Sequence, residues 1–139
     1  MSSPSKTAYA LDASALLALL LNERGHEKVN AVLDNALVHS VNVAEVIGKL
    51  VREGVPPAKA VEMVDALGLD VVEELPGPQA GLCGVLLAET RSHGLGLGDC
   101  VCLTVAACTG AAALTADRQW QRLNGRAVGG SRLRVEVIR

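Results

Sequence analysis

The sequence predicts a three-layer α/β fold, with a mainly parallel central sheet flanked by helices. Three observations carry that prediction. Short apolar runs of three to six residues alternate along the chain with longer stretches of helical periodicity, the order expected of βα units. Half of the 139 residues are hydrophobic and 20% are charged, which excludes a disordered chain and supplies a core of ordinary size. The length suits one domain at about 100–200 residues per domain. That domain is predicted over residues 8–139, behind a loose polar leader at 1–7 (MSSPSKT).

The elements follow in order. Residues 8–11 form a short apolar run ending in Asp12, a buried strand, and residues 13–21 are apolar all round, a buried helix. Gly25 breaks the chain before a helical pattern at Val29, Val32, Leu33 and Ala36, and residues 37–40 give a second strand. Asn42 starts a helix through Val46, Ile47 and Leu50, and Pro56-Pro57 separates it from an amphipathic helix carrying Val61, Val64 and Leu67. Residues 69–72 are the third strand candidate. Residues 76–78 read as a linker, and 79–92 as a helix with Leu82, Cys83, Leu86 and Leu87 turned inward. Gly94, Gly96 and Gly98 make a bend that launches a helix over 99–109. Residues 112–114 form a strand, Asp117 opens a short helical turn containing Trp120, and 133–138 alternates as an edge strand.

Composition removes several function classes. Phe is absent and there is one Trp and one Tyr, so no platform exists for stacking several bases, which weakens RRM-like or OB-like readings. A formal charge of -2 argues against a simple phosphate-coating binder but leaves a nuclease open, because an acidic site recruits cations. Cys83, Cys100, Cys102 and Cys108 contain no CxxC pair, and His26, His39 and His93 have no zinc-ligand spacing, so the cysteines read as core fillers in a reducing compartment. Residues 15–21 imitate a signal-peptide core without its basic flank or cleavage site. The uncharged stretch 100–116 is too diluted by Gly, Thr and Ala to span a bilayer, so no membrane association and a cytoplasmic location are expected.

The placement of four acids is the informative signal. Asp12 is the only charged residue over 7–22, Glu45 the only one over 35–48 and Asp99 the only one over 95–116, while Asp117 follows that last run at the end of a predicted strand. Isolated carboxylates cost several kcal/mol to desolvate unless paired, hydrogen-bonded or metal-bound, and no Lys or Arg lies close in sequence to Asp12, Glu45 or Asp99 within these runs. Each acid alone has a capping explanation: Asp12, Asp99 and Asp117 as N-caps, and Asn42 with Glu45 as a capping box. Jointly they fit a different geometry. Ligands of a parallel α/β sheet collect at the carboxyl ends of its strands, where Asp12 and Asp117 sit and where Glu45 and Asp99 start helices. Four converging carboxylates need a cation at neutral pH. An all-oxygen set suits Mg²⁺ or Mn²⁺, and such ions activate water and neutralise a scissile phosphate. Ser14 and Thr115 are placed to orient Asp12 and Asp117, or to bond local backbone at a turn.

The strings LDASALLALLLNE (11–23), SVNVAEV (40–46), GLGLGDCVCL (94–103) and LTADRQW (114–120) resemble PIN-domain proteins, and among them the VapC-type ribonuclease toxins of bacterial toxin-antitoxin pairs. The resemblance spans nearly the whole chain in order. It implies a PIN-like version of the three-layer fold, with Asp12, Glu45, Asp99 and Asp117 as a catalytic Mg²⁺ or Mn²⁺ site that hydrolyses RNA and Ser14, Asn42 and Thr115 supporting it. It also implies a homodimer and a cognate small antitoxin that lies across the helices and blocks the site. Where the family often has a form like GLSLGDR, this chain has Gly96 and Cys100, so the acids are kept and the loop contacts differ.

Basic residues complete the substrate reading. Residues 118–139 hold six arginines against one glutamate, a local charge of +5 on a chain whose first 117 residues carry -7. Arg118 and Arg122 follow the last acid and are expected to touch RNA, the alternative being a solvated face or salt bridges to the acidic body. Trp120 is either a core anchor or a base-stacking residue. The leading expectation is a metal-dependent endoribonuclease toxin acting on tRNA, rRNA or mRNA. A PIN nuclease of RNA processing, or an idle PIN module in a complex, are the alternatives. A haloacid-dehalogenase-like site would want Asp-x-Asp after the first strand, a phospho-receiver domain an acid pair there and a late Lys, and a dinucleotide fold a GxGxxG; none is present.

Overall fold

The computed structural model describes residues 8–139, so the predicted leader at 1–7 lies outside the described residues. In chain order the elements are β1 (Tyr9–Leu11), α1 (Ala13–Leu20), α2 (His26–Val32), β2 (Ala36–His39), α3 (Ser40–Arg52), α4 (Pro57–Asp65), β3 (Asp70–Val72), α5 (Gly77–Thr90), α6 (Leu97–Thr109), β4 (Ala112–Thr115), β5 (Ala127–Val128), β6 (Ser131–Arg132) and β7 (Val135–Val137). Five strands make one sheet in the order β3-β2-β1-β4-β7, every pair parallel. The expected three-layer α/β architecture is therefore the observed one. β5 and β6 form a separate two-residue hairpin.

Strand alternation sorts the core into two halves. Ala10, Leu37, Ala113 and Val135 face a cluster built with α5 and α6, while Leu11, Val38 and Leu114 face one built with α1, α3 and α4. Alanines at 10 and 113 leave room for α6, buried at Gly98 and from Cys100 through Ala107, whose Cys102 Sγ lies 3.8 Å from the Ala10 carbonyl. This is why α6 is apolar all round. Trp120, 1% exposed, fills the same half beside Leu123 and Leu133 and is a core anchor, not a stacking platform.

The strand order creates the site's position. From β1 the chain builds outward through β2 and β3, then returns to place β4 on the other side of β1. The carboxyl ends of β1 and β4 therefore border the crevice where helices leave in opposite directions, the usual ligand position of open parallel sheets. The far end of β7 closes over the turn after α1: Gly25 has φ +94°, and a Cβ there would meet the Ile138 carbonyl oxygen at 2.7 Å.

Several boundaries differ from the sequence reading, each for a local reason. The helical pattern expected through Ala36 stops at Val32; a 3-10 turn over Leu33–Asn35 follows, and buried Ala36 is already the first residue of β2. α3 begins at Ser40 because the His39 imidazole caps it, Nδ1 accepting from Val41 N at 3.0 Å while Nε2 faces the Glu74 carbonyl at 3.1 Å. Residues 77 and 78 are the first turn of α5, where a proline costs no intrahelical hydrogen bond. α6 starts at Leu97, two residues before the expected start. The β5–β6 hairpin is too short to show a period and was not expected. Cys83, Cys100 and Cys102 are buried free thiols as expected of core fillers, whereas Cys108 is exposed. Among the described residues no helix is long and apolar enough to cross a membrane.

Leu50, fully buried between α1 and α4, should lose about 2–5 kcal/mol of stability as Leu50→Ala. Val61→Ala, on the exposed face of α4, should change it by no more than about 0.5 kcal/mol. Urea unfolding of the two variants checks the assignment of inside and outside.

Candidate active site

Asp12 leaves the end of β1 and caps α1, its Oδ1 accepting from Ala15 N at 2.8 Å. The side chain is 3% exposed. The Ser14 hydroxyl lies 2.8 and 2.9 Å from its two oxygens, and Thr115 Oγ1 donates to Oδ2 at 2.6 Å. Each hydroxyl also accepts from the chain after β4, Ser14 from Ala116 N at 2.9 Å and Thr115 from Asp117 N at 3.0 Å. The two roles left open for Ser14 and Thr115 are thus played together. They orient Asp12 and tie the start of α1 to the exit of β4, one strand away.

Glu45 and Asp99 come from α3 and α6. Asn42 is the third residue of α3 and not its cap; buried at 1% exposure, its Nδ2 donates to Glu45 Oε1 at 2.9 Å and to the Gly98 carbonyl at 3.0 Å. The capping-box reading of Asn42 and Glu45 is replaced by a bracket between two helices. Asn42 Oδ1 is buried with no partner among the described residues. Gly98 is part of the same bracket, because a Cβ on it would lie 2.2–2.5 Å from the Glu45 carboxylate atoms. Asp99 is likewise not the N-cap of α6; it sits in the first turn with Oδ2 accepting from Gly96 N at 2.9 Å. Asp117 caps the 3-10 turn Arg118–Leu123, accepting from Gln119 N at 2.9 Å, and is exposed.

The four acids share one electrostatic neighbourhood. Burial raises Asp12 from 3.8 to about 6 despite its three hydrogen bonds, with Asp99 adding repulsion. Asp99 is also raised, first by burial and then by Asp117, with Lys49 and the Gly96 N–H pulling the other way. The Cys102 thiol in the middle of α6 is pushed well up by burial and by Asp12, Asp99 and Glu45 together. No three of the His, Cys, Asp and Glu side chains among the described residues are drawn up into a ready-made metal cage. Mg²⁺ does not require one, since it binds through one or two carboxylates and keeps several waters. An all-oxygen donor set around a desolvated carboxylate fits such an ion, whose charge would relieve the cost of ionising Asp12.

Cations border the acids. Exposed Arg118 donates from Nε to the Arg139 carbonyl at 3.0 Å, and the two line a 390 Å³ cleft at the end of β7. Arg122 is exposed with no hydrogen bond or ion pair among the described residues. Arg126, Arg132 and Arg134 are instead held by Glu89 and by the carbonyls of Gly125 and Gly110. Residue reading along the chain missed Lys49, Arg52 and Arg139, which line a 260 Å³ cleft against Ser14. Lys49 is four residues after Glu45, one helical turn, so that spacing carried the signal. Gly98 carried none, because its role rests on a contact across 53 residues of chain.

Comparison with known proteins bears on the same span. A model of the PIN domain family matches residues 9–126, and no curated protein sequence matches the chain. Among solved structures, the DNA-bound VapBC of Salmonella typhimurium superposes with a TM-score of 0.69 at 18% identity, covering 95% of this chain and 98% of that one. VapBC-1 of nontypeable Haemophilus influenzae gives 0.67 at 17% identity, covering 94% and 98%. VapBC-5 of Mycobacterium tuberculosis, a member of the VapBC family of toxin-antitoxin systems, gives 0.62 at 20% identity, covering 96% and 98%. At such identities the likeness is one of fold.

Two predictions follow from the geometry. An acid whose folded pKa is raised binds its proton more tightly folded than unfolded, so its penalty grows between about pH 4 and 6 and is complete above that. Asp12→Asn should therefore gain on the parent by about 2 kcal/mol as pH rises from 4 to 7, with little divergence at higher pH, in metal-free urea melts. Gly98→Ala should displace Glu45 and cost about 1–3 kcal/mol by overpacking, whereas Gly84→Ala, with open space at its Cβ in α5, should be neutral or stabilising.

Proposed function

The chain belongs to the PIN-domain family, and from that premise we propose that it is a Mg²⁺- or Mn²⁺-dependent endoribonuclease, the toxin of a toxin-antitoxin pair. The observation that carries the proposal is the buried, desolvated Asp12 at the carboxyl end of β1, which repels Asp99 as Asp117 does, while Asp12, Asp99 and Glu45 all act on the Cys102 thiol. A protein maintains such a carboxylate at a cost in stability, and a function at that atom is the physical reason to keep it.

Asp12, Glu45, Asp99 and Asp117 are the groups that would hold the ion, which when bound supplies charge neutralisation at a phosphodiester and a water of lowered pKa. The remaining chemistry belongs to the chain. Ser14, Thr115 and Ala15 N hold the Asp12 carboxylate in one orientation, and Asn42 does the same for Glu45 from one turn earlier on α3. Asp99 and Asp117 are more open to solvent than Asp12, and one of the two takes the proton of the attacking water while the leaving oxygen takes a proton from solvent. Arg118 and Arg122 lie beyond Asp117 and contact phosphates of the RNA. The RNA class is tRNA, rRNA or mRNA, and the reaction leaves one strand as two by hydrolysis of a P–O bond.

The solved relatives whose names describe toxin-antitoxin complexes support a cognate small antitoxin as partner, lying across the helices and covering the acids. A homodimer and a cytoplasmic location belong to the same reading.

Purified protein freed of partners should cleave RNA with Mg²⁺ or Mn²⁺. EDTA should abolish cleavage, and Asp99→Ala should lower kcat/KM by roughly 100-fold or more. Undiminished cleavage by Asp99→Ala protein would place the activity elsewhere. Mg²⁺ should also raise the Tm of the parent protein more than that of Asp12→Asn, a readout independent of turnover.

A further inference from the structure

We infer that the 260 Å³ cleft between α1 and α3 is a nucleotide subsite, holding the RNA residue next to the scissile phosphate. The inference rests on the nuclease reading and names where its substrate lies beyond the acids. Three observations converge on it.

The first is continuity. Ser14 lines the cleft and also holds Asp12, so one side chain belongs to the cleft wall and to the carboxylate site. The second is free positive charge. Lys49 and Arg52 project from α3 on this wall, exposed and without an ion pair among the described residues, and they outnumber Glu53, the one carboxylate of the lining that no cation holds. Arg139, by contrast, is engaged, with Nη1 on the Arg24 carbonyl at 3.1 Å and Glu23 at 3.9 Å. Two unpaired cations beside an acid cluster draw a phosphate and hold it off the carboxylates.

The third is shape. Leu17 and Leu21 give the cleft an apolar floor, and Leu21 is 40% exposed. A base has a flat apolar face and a phosphate at one side, which matches a leucine floor with cations on its rim. No aromatic group is needed, and the chain has only one Trp, which is buried elsewhere.

The test compares the parent with the double variant Lys49→Ala/Arg52→Ala and with Lys59→Ala, an exposed lysine on α4 away from the cleft. Cleavage of single-stranded RNA oligonucleotides of increasing length is read as kcat and KM across a salt series, and binding of a fluorescein-labelled octanucleotide by anisotropy in the Asp99→Asn background, where the strand stays intact. The double variant should raise KM and weaken binding about tenfold, and the salt slope should flatten by about 1.4, or 0.7 for each lost phosphate contact on a single strand. It should also lose the gain in kcat/KM that the parent obtains when the substrate is extended into the cleft. Lys59→Ala should match the parent, and thermal melts of all three should coincide. Unchanged binding, KM and salt slope in the double variant would overturn the inference and leave these cations to a protein partner. Weakened binding with no cleavage by the parent would keep the cleft and overturn the nuclease reading instead.

Discussion

The structure depends on a carboxylate kept in a place that disfavours it. Asp12 stands at the end of the central strand, 3% exposed, and its charge is offset only by hydroxyls and one backbone N–H. Those partners do not outweigh burial, since its pKa stays raised to about 6. The surrounding chain is arranged to make that position tenable. Ser14 and Thr115 each spend one hydroxyl on Asp12 and accept one backbone N–H across the β1–β4 boundary, so a polar network closes the crevice that strand order opens.

Glu45 is held by a second, smaller device. Asn42 joins α3 to α6 through Glu45 and the Gly98 carbonyl, and the missing Cβ of Gly98 is the space the Glu45 carboxylate occupies. Packing and chemistry meet at that point. The same glycine permits the close approach of two helices, and Asp99 is the next residue along α6. Cations border the acids in two clefts, Lys49, Arg52 and Arg139 in the one beside Ser14 and Arg118 with Arg139 in the one at the end of β7. The net charge of -2 conceals this ordering, because it does not show that four of the fifteen acids lie near the crevice with the unpaired Lys49 and Arg52 in the cleft beside Ser14.

Much of this was legible along the chain. The alternation of short apolar runs with helical periods yields the five parallel strands, with boundary errors of one to four residues. Those errors lie where a cap was unconventional. A histidine caps α3, so Asn42 looked like the start of the helix when it is an interior bracket. Gly96 precedes α6, so Asp99 looked like its cap when it braces the first turn. Asp12, Glu45 and Asp99 stood out because each interrupts a stretch that otherwise reads as core. Arg118 and Arg122 were visible only as a charge run, and the exposed position of one and the carbonyl contact of the other came with the fold.

The sequence by itself determined the fold class and the depth at which Asp12 lies, and marked the four acids as candidates, because an ionisable residue in an apolar run is a local anomaly readable from neighbours. Tertiary structure alone decided what holds those acids and what surrounds them. The partners of Asp12 include a threonine 103 positions away, Glu45 rests against a glycine on another helix, and Lys49, Arg52 and Arg139 reach one cleft from opposite ends of the chain. Hydrogen bonds and close contacts depend on distance in space, and strand order, which no local pattern states, brings these residues together.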